Sequence, residues 1–229
     1  MDFWTNLFHE TDGNSVLELA AGTGRLAQVF LREGAQYTGL EIEPDFVKIA
    51  ENKLSKYDDF ATIVKEDMRA FKMGNNFDFL FIGFNSFLHL LTDNDAMNFL
   101  HCVRDHMHEN SRFVIDIYIP NPLFLYRPEG VRFPVLEYTD SITDEHVYVE
   151  EGNEYDSETE INNLIWYFST EDQKDFDERR FSMRMYYPSK MNQMLIDSGF
   201  KICHQWGDYY RTNLNTGSKL QIYDVQVAF

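Results

Sequence analysis

Basic residues are scarce in this chain of 229: Lys and Arg together number 20 against 38 Asp and Glu, a formal net charge of −18. That balance excludes a general affinity for phosphate backbones or anionic membrane surfaces, both of which need clustered cations, so neither nucleic acid nor membrane is an expected partner. Cysteine is scarcer still. With Cys102 and Cys203 alone there is no disulfide framework, and both are expected as small buried residues, one in a helix and one in a strand. Long apolar runs are lacking too, since the longest notable one, Phe79 to Phe84, is far too short to cross a bilayer. The opening Met1-Asp2-Phe3-Trp4 carries an acid early, with no basic segment ahead of an apolar stretch, so neither a secretory signal nor a transit peptide is expected. A reducing, cytoplasmic setting follows as the default. What is abundant is apolar: a hydrophobic share of 44% with 16% aromatic residues describes a chain able to bury a core, not a disordered acidic one.

The first half alternates strand and helix signals. Ser15 to Ala20 reads as a buried strand broken by Gly22-Thr23-Gly24, after which Leu26, Val29 and Phe30 set helical spacing. Tyr37 to Glu41 is a second strand, and Pro44 opens a helix with Phe46, Val47, Ala50 and Leu54 on one face. Ala61 to Lys65, Phe77 to Ile82 and Arg112 to Tyr118 complete five strands, with Thr92 and Asp95 capping the helix before the last. Repeated strand–helix–strand units predict an α/β, doubly wound, mostly parallel sheet, because parallel neighbours require a crossover. After Pro120 the pattern changes. From Phe133 to Gln173 there are twelve acids and no Lys or Arg, and Ile161 to Phe168 and Arg179 to Tyr187 read as strands. Residues 121–187 are therefore expected as an antiparallel β insertion covering an acceptor site, between core segments 1–120 and 188–229. The last segment carries a helix from Pro188 and a closing hairpin of Lys201 to Trp206 with Leu220 to Phe229.

The chemistry sits in Val16-Leu17-Glu18-Leu19-Ala20-Ala21-Gly22-Thr23-Gly24-Arg25. A strand running into Gly-x-Gly and a helix lets a ligand approach bare backbone. Glu41 lies nineteen residues after Gly22 at the end of the next strand, where a carboxylate can accept both hydroxyls of a ribose. Two nucleoside classes fit, dinucleotides and S-adenosylmethionine, and Gly22 to Ala27 satisfies the dinucleotide pattern. Glu18 separates them: a carboxylate just before the bend suits a ligand ammonium and not a pyrophosphate.

On these residues the sequence resembles the class I S-adenosylmethionine-dependent methyltransferases over roughly Phe3 to Tyr118, which implies a seven-stranded Rossmann-like sheet and that cofactor. Glu18 to Gly24 resembles their first motif, Gly39-Leu40-Glu41-Ile42-Glu43-Pro44 their second, and Glu66-Asp67-Met68-Arg69 their third. The resemblance implies that Asp67 binds the adenine amino group and that Met68 packs on the ring. The cofactor-binding candidates are thus Glu18, Ala20, Gly22, Thr23, Gly24, Arg25, Glu41, Ile42, Asp67 and Met68. Phe84-Asn85-Ser86-Phe87-Leu88-His89-Leu90 is similar to a run in glycine N-methyltransferase and in N-methyltransferases of nucleotide-linked amino sugars. It adds Phe84, Asn85 and Ser86 to the cofactor set and implies a catalytic floor of Asn85, Ser86 and His89. The N-terminal lid of that family shrinks here to Phe3, Trp4, Leu7 and Phe8, so that Trp4 or the inserted strands would have to close the site.

Methyl transfer is an in-line displacement that needs alignment and exclusion of water, with no metal or covalent nucleophile. His89 is the candidate to orient or deprotonate the acceptor. Arg184 is the candidate to bind an acceptor carboxylate. Tyr118, Tyr126, Trp166, Tyr186, Tyr209 and Tyr210 are candidate pocket aromatics, with Asp208-Tyr209-Tyr210 the most distinctive. His101, Cys102, His106 and His108 do not share one helical face, and no metal is expected. The acidic insertion could steer a cationic or amine-bearing acceptor, or serve as a homodimer contact. The expected activity is methyl transfer to a small molecule, on nitrogen in preference to oxygen; an NAD-dependent oxidoreductase and a non-catalytic cofactor-binding module are the alternatives.

Overall fold

The computed structural model describes residues 2–228. In chain order the elements begin α1 (Asp2–His9), β1 (Ser15–Leu19), α2 (Ala27–Arg32), β2 (Gln36–Glu41), α3 (Pro44–Leu54), β3 (Ala61–Lys65), β4 (Phe77–Ile82), α4 (Asp93–Asp105) and β5 (Met107–Tyr118). They continue α5 (Pro122–Leu125), β6 (Phe133–Thr139), β7 (His146–Asp156), β8 (Ile161–Ser169), β9 (Asp177–Arg184), α6 (Pro188–Asp197), β10 (Phe200–Trp206) and β11 (Leu220–Val227). The chain divides into two compact units. One holds the residues up to Phe87, Thr92–Ile119 and those from Tyr187 onward; the other holds Leu88–Leu91 and Pro120–Tyr186.

In the larger unit seven strands form one sheet in the order β10-β11-β5-β4-β1-β2-β3, parallel except where β11 pairs with β5 and β10. The doubly wound sheet expected from the sequence is present. The chain leaves β1 toward β2 and β3, then returns to build β4 and β5 on its other side. The strand order therefore reverses between β1 and β4, and the crevice at their carboxyl ends is where such sheets take ligands. β1 and β4 read as nearly continuous apolar runs because both faces are covered: Val16, Leu17, Leu19, Phe79, Phe81 and Ile82 are fully buried. Phe8, Phe30, Phe79 and Phe81 pack ring against ring with Trp4, each large side chain contributing roughly 1.5–3 kcal/mol of burial. α1 thus belongs to the core. Phe3, Trp4, Leu7 and Phe8 are all buried, and Trp4 sits under Gly83, where a β-carbon would lie 3.2 Å from its ring.

Local signals hold at several joints. Pro44 opens α3. Thr92 caps α4, its Oγ accepting from the Asp95 N–H at 3.0 Å and donating to the Asp95 carboxylate at 2.8 Å. At the amino ends of the strands the Asp78 carboxylate receives the Ser15 N–H at 2.8 Å and the Ser15 hydroxyl, and meets His108 Nε2 at 3.0 Å, tying β1, β4 and β5 together.

The smaller unit is an antiparallel sheet in the order β6-β7-β8-β9. It has two strands more than the sequence predicts, because charged residues break the alternation of β6 and β7. In β7 the inward positions are Val147, Val149 and Glu151, one of them an acid. β9 ends at Arg184, earlier than the alternating run suggests, and the Met185 N–H turns to the Glu160 carbonyl at 2.8 Å.

Candidate functional site

After β1 the backbone enters the left-handed region three times, at Ala20 (φ 56°), Gly22 (φ 56°) and Gly24 (φ 67°). The two glycines serve different ends. A β-carbon on Gly24 would press on Leu54 and Ala50 of α3 at 3.3 and 3.4 Å, so this glycine lets the helix close on the bend. A β-carbon on Gly22 would meet nothing within 4 Å, so the backbone there faces open space. Lys53 ties the bend down from α3 by donating to the Thr23 carbonyl at 2.6 Å.

Two carboxylates lie beneath this bend. Glu41 ends β2, and its Oε2 accepts the Gly22 N–H at 2.7 Å while its Oε1 accepts the N–H groups of Ile42 and Glu43 at 2.8 and 2.9 Å. Glu18 is buried in β1 opposite Gly39 of β2 and accepts the hydroxyl proton of Tyr37. Burial pushes the Glu18 carboxyl up to about 8, against the opposing pull of the Tyr37 hydrogen bond and the Arg25 charge. Gly39 is what allows the pair to meet, because a β-carbon there would lie 2.8 Å from the Tyr37 hydroxyl. Beyond β3, Asp67 is held in a fork by Arg69, with contacts at 3.0 and 2.6 Å that draw its carboxyl below the usual range. Met68 beside it is half-buried and Ile42 is exposed next to Glu41.

On the other side of β1, the chain leaves β4 through two more left-handed residues, Phe84 (φ 54°) and Asn85 (φ 68°), a conformation that non-glycine residues adopt at a cost. Asp116 of β5 imposes it. Its carboxylate accepts the Phe84 N–H at 3.2 Å, its carbonyl accepts the Asn85 N–H at 3.1 Å, and Asn85 Oδ1 in turn accepts the Tyr118 N–H at 2.8 Å. Phe84 is turned outward with the Arg25 guanidinium 4.0 Å above its ring, a cation–π contact, and Ser86 begins the next turn. The same Asp116 oxygen accepts the hydroxyl of Tyr209. Burial raises the Asp116 carboxyl, and burial together with the Asp116 charge raises the Tyr209 phenol. Tyr209, Phe84, Phe3, Trp4 and Leu26 wall a cavity of about 520 Å³.

Residues 16–110 match the family model described as a methyltransferase domain. This segment is similar to a methyltransferase domain. The match bears out the enzyme class of the sequence analysis, and similar structures solved with S-adenosylmethionine or sinefungin bound support the cofactor. No curated protein matches the chain in sequence. Among solved structures, an S-adenosylmethionine-dependent methyltransferase from Clostridium acetobutylicum is 18% identical with a TM-score of 0.82, covering 100% of this chain and 90% of its own. The CcbJ methyltransferase from Streptomyces caelestis is 18% identical with a TM-score of 0.83 and the same coverage. CalS10, an amino pentose methyltransferase from Micromonospora echinaspora solved with S-adenosylmethionine bound, is 16% identical with a TM-score of 0.69, covering 93% of this chain and 84% of its own. At these identities the likeness is one of fold, and it extends through the inserted sheet.

Within the matched segment the structure gathers Glu18, Ala20, Gly22, Thr23, Gly24, Arg25, Glu41 and Ile42 about the bend. It sets Asp67 and Met68 beyond β3, and Phe84, Asn85 and Ser86 beyond β4. In the smaller unit His89 is exposed, its ring 6.3 Å from that of Phe181, which meets Trp166 edge to face. Trp166 Nε1 donates to Glu151 at 2.9 Å, and Arg127 pairs with the same carboxylate at 3.1 Å. Arg184 is mostly buried, 3.6 Å from Glu160 and 5.1 Å from the ring of Tyr186. Asn153 donates to Asn162 at 3.1 Å, and among the described residues Asn153 Oδ1 and Asn162 Nδ2 have no hydrogen-bond partner in their burial.

Two site residues escape the sequence analysis. Asp116 is an acid inside the apolar run Phe113-Val114-Ile115-Asp116-Ile117, and that isolation is the signal that singles it out. Tyr37 stands two residues before Gly39 on the same strand face, but its meeting with Glu18 depends on the pairing of Glu18 with Gly39, which only the register supplies.

Proposed function

We propose that the protein transfers a methyl group from S-adenosylmethionine to a small-molecule acceptor, on nitrogen in preference to oxygen. The observation that carries the cofactor choice is the pair of carboxylates under the glycine bend. A dinucleotide would bring its pyrophosphate to the Gly22 N–H, yet that N–H is given to Glu41, and Glu18 lies buried alongside. Pyrophosphate against the Glu41 carboxylate sets anion against anion, unfavourable by several kcal/mol in a site of low polarity, and the protonated Glu18 carboxyl offers it no counter-charge. An amino-acid-bearing nucleoside brings an ammonium instead, which suits Glu18, and a ribose whose hydroxyls can donate to Glu41. Asp67, forked to Arg69, is proposed for the adenine amino group, Met68 and Ile42 for the base faces, and Arg25 for the amino-acid end.

S-adenosylmethionine, when bound, supplies a methyl group on a cationic sulfur. The chain's own residues would then hold the acceptor in line and keep water out, which accounts for roughly 7–11 kcal/mol of barrier in favourable cases. The acceptor groups are proposed to come from the insertion, residues 121–187, together with His89. Its inward face supplies aromatic walls at Trp166 and Phe181, and Asn153 and Asn162 offer an unfilled acceptor and donor. His89 is proposed to orient the acceptor and Arg184 to take a carboxylate, while Asn85 shapes the exit of β4. The concentration of acids in the insertion favours a cationic acceptor by steering, and an amine meets that condition.

Calorimetry tests the cofactor. The pure protein is expected to release or absorb heat with S-adenosylmethionine and with S-adenosylhomocysteine, and none with NAD. Binding of NAD in place of both would make the protein a dinucleotide enzyme.

A further inference from the structure

We propose that Tyr209 is a catalytic residue: held by the Asp116 carboxylate, its oxygen faces the methyl-bearing end of the cofactor site and takes a proton from an acceptor ammonium. The inference rests on the S-adenosylmethionine reading of the site and deepens it by assigning the acceptor's nitrogen a place and a base. The run Asp208-Tyr209-Tyr210 stands out in the sequence as a candidate pocket element without a catalytic role, and Asp116 is not among the sequence's candidate site residues.

Strand order fixes the direction. The residues suited to sugar and base, Glu41 and Asp67, lie at the ends of β2 and β3, on one side of β1. Phe84 and Asp116 lie at the ends of β4 and β5, on the other. A nucleoside amino acid held across β1 by Glu41 at its sugar and Asp67 at its base would have its amino-acid end on the β4 side, where Phe84, Tyr209, Trp4, Phe3 and Leu26 form part of the wall of a cavity of about 520 Å³. Phe3, Trp4, Leu26 and Phe84 give that cavity an apolar side, and Asp2, Asn6, Tyr209, Tyr210 and Arg211 give it a polar one; of these polar groups Tyr209 is the one bonded to the buried Asp116.

Chemistry fixes the role. The hydroxyl proton of Tyr209 is committed to Asp116 Oδ2, so toward the cavity its oxygen offers lone pairs and can only accept. Asp116 is 1% exposed, and with no cation paired to it in that burial it holds a proton more readily than an ordinary aspartate. An incoming ammonium gives one proton to the Tyr209 oxygen as the phenol proton passes to Asp116. The nitrogen keeps the electron pair, and the products of this step are a neutral amine, an intact phenol and a protonated Asp116. The lone pair so freed is the nucleophile, and Asp116 later returns its proton to solvent. Asp116 acts through Tyr209 and is a positioning residue. The charged groups about the pair are Arg25, whose field reaches Tyr209, and Asp2 and Arg211 on the cavity wall. Two strained residues, Phe84 and Asn85, are held in place by the same Asp116, which ties the shape of the cavity to the base.

Sinefungin carries an amine where the cofactor carries its methyl, so it reports on this spot without an acceptor being known. Its affinity is measured by calorimetry beside that of S-adenosylhomocysteine, which has nothing there, for the wild type, Tyr209→Phe and Asp116→Asn. The wild type is expected to prefer sinefungin. Tyr209→Phe is expected to lose roughly ten- to a hundredfold in sinefungin affinity, the range of one charge-assisted hydrogen bond, with S-adenosylhomocysteine affinity unchanged, a pattern that a purely structural role would not give. Asp116→Asn, which keeps the hydrogen bond and removes the charge, is expected to lose part of the same preference. A sinefungin to S-adenosylhomocysteine ratio unchanged in both variants overturns the assignment of Tyr209. A wild type that binds neither compound overturns the cofactor reading beneath it instead.

Discussion

Glu18→Gln should make the protein more stable and its cofactor site worse, and the size of the first effect follows from the structure. In the folded chain the Glu18 carboxyl keeps its proton up to about pH 8, whereas an exposed glutamate releases it near 4.5. Between those values the folded state binds one more proton than the unfolded state, so each unit of rising pH removes about 1.4 kcal/mol of stability. By pH 7 the accumulated loss is about 3 kcal/mol, and it levels off above pH 8 near about 5 kcal/mol. Glutamine keeps an oxygen for the Tyr37 hydroxyl and carries no proton to lose. The difference in unfolding free energy between variant and wild type, measured by denaturant titration from pH 5.5 to 8.5, should therefore grow steadily in favour of the variant. Calorimetry should show the reverse for S-adenosylmethionine, roughly ten- to a hundredfold weaker without the charged partner for its ammonium. For the wild type at pH 7 that binding should also release a proton, visible as a dependence of the apparent heat on buffer ionisation enthalpy. Parallel pH profiles for the two proteins, or an unaltered cofactor affinity, would refute the reasoning.

Other perturbations separate the site from its scaffold. Gly39→Ala sets a β-carbon 2.8 Å from the Tyr37 hydroxyl and 2.9 Å from the Ala21 β-carbon, and should cost about 1–3 kcal/mol by thermal unfolding while weakening cofactor binding as Tyr37 leaves Glu18. Asp78→Ala removes the partner of Ser15 and His108 at the far end of the sheet, and should cost about 1–3 kcal/mol with cofactor affinity intact. Because the Asp78 carboxyl is depressed, its contribution is present above the ordinary aspartate range and is lost as pH falls through its lowered value; the gap between wild type and variant should close in acid. His89→Gln should lower kcat/KM by about tenfold or more with cofactor affinity unchanged, and unaltered turnover would remove His89 from the acceptor's handling.

The parts of this protein that were legible in the sequence are those set by local rules. Pro44, Thr92 with Asp95, and the paired glycines fix their turns within a few residues, and the apolar runs of β1 and β4 announce strands covered on both faces. The placement of Glu18 within β1, Glu41 at the end of β2 and Asp67 just after β3 was legible from the strand pattern alone. What escaped depends on register or on distant chain. Tyr37 reaches Glu18 through the β1–β2 pairing, and Asp116 meets Tyr209 across 93 residues of sequence. The strands β6 and β7 were hidden by their own composition: an acid such as Glu151 at an inward position mimics a solvated face until Arg127 and Trp166 are seen to satisfy it.

The two acids under the bend also show why one family of folds can serve phosphates in some chains and cations in others. Glu41 is held by three backbone N–H groups, so its position is fixed by the turn itself: it closes the bend, and its proposed contact with a sugar would use what remains of its oxygens. Among the described residues Glu18 accepts one phenol proton and no backbone N–H, and its burial keeps it protonated at neutral pH until a cation arrives to share its charge. A bend whose N–H points to an incoming ligand selects anions. Here the same N–H points to a carboxylate, the second carboxyl waits for a positive partner, and Arg25 stacks on Phe84 at the far side. The proposed selectivity for a zwitterionic nucleoside would thus come from where the peptide donors of the bend are spent, and a Glu41→Gln variant, which weakens those bonds, should loosen the bend before it changes the preferred ligand.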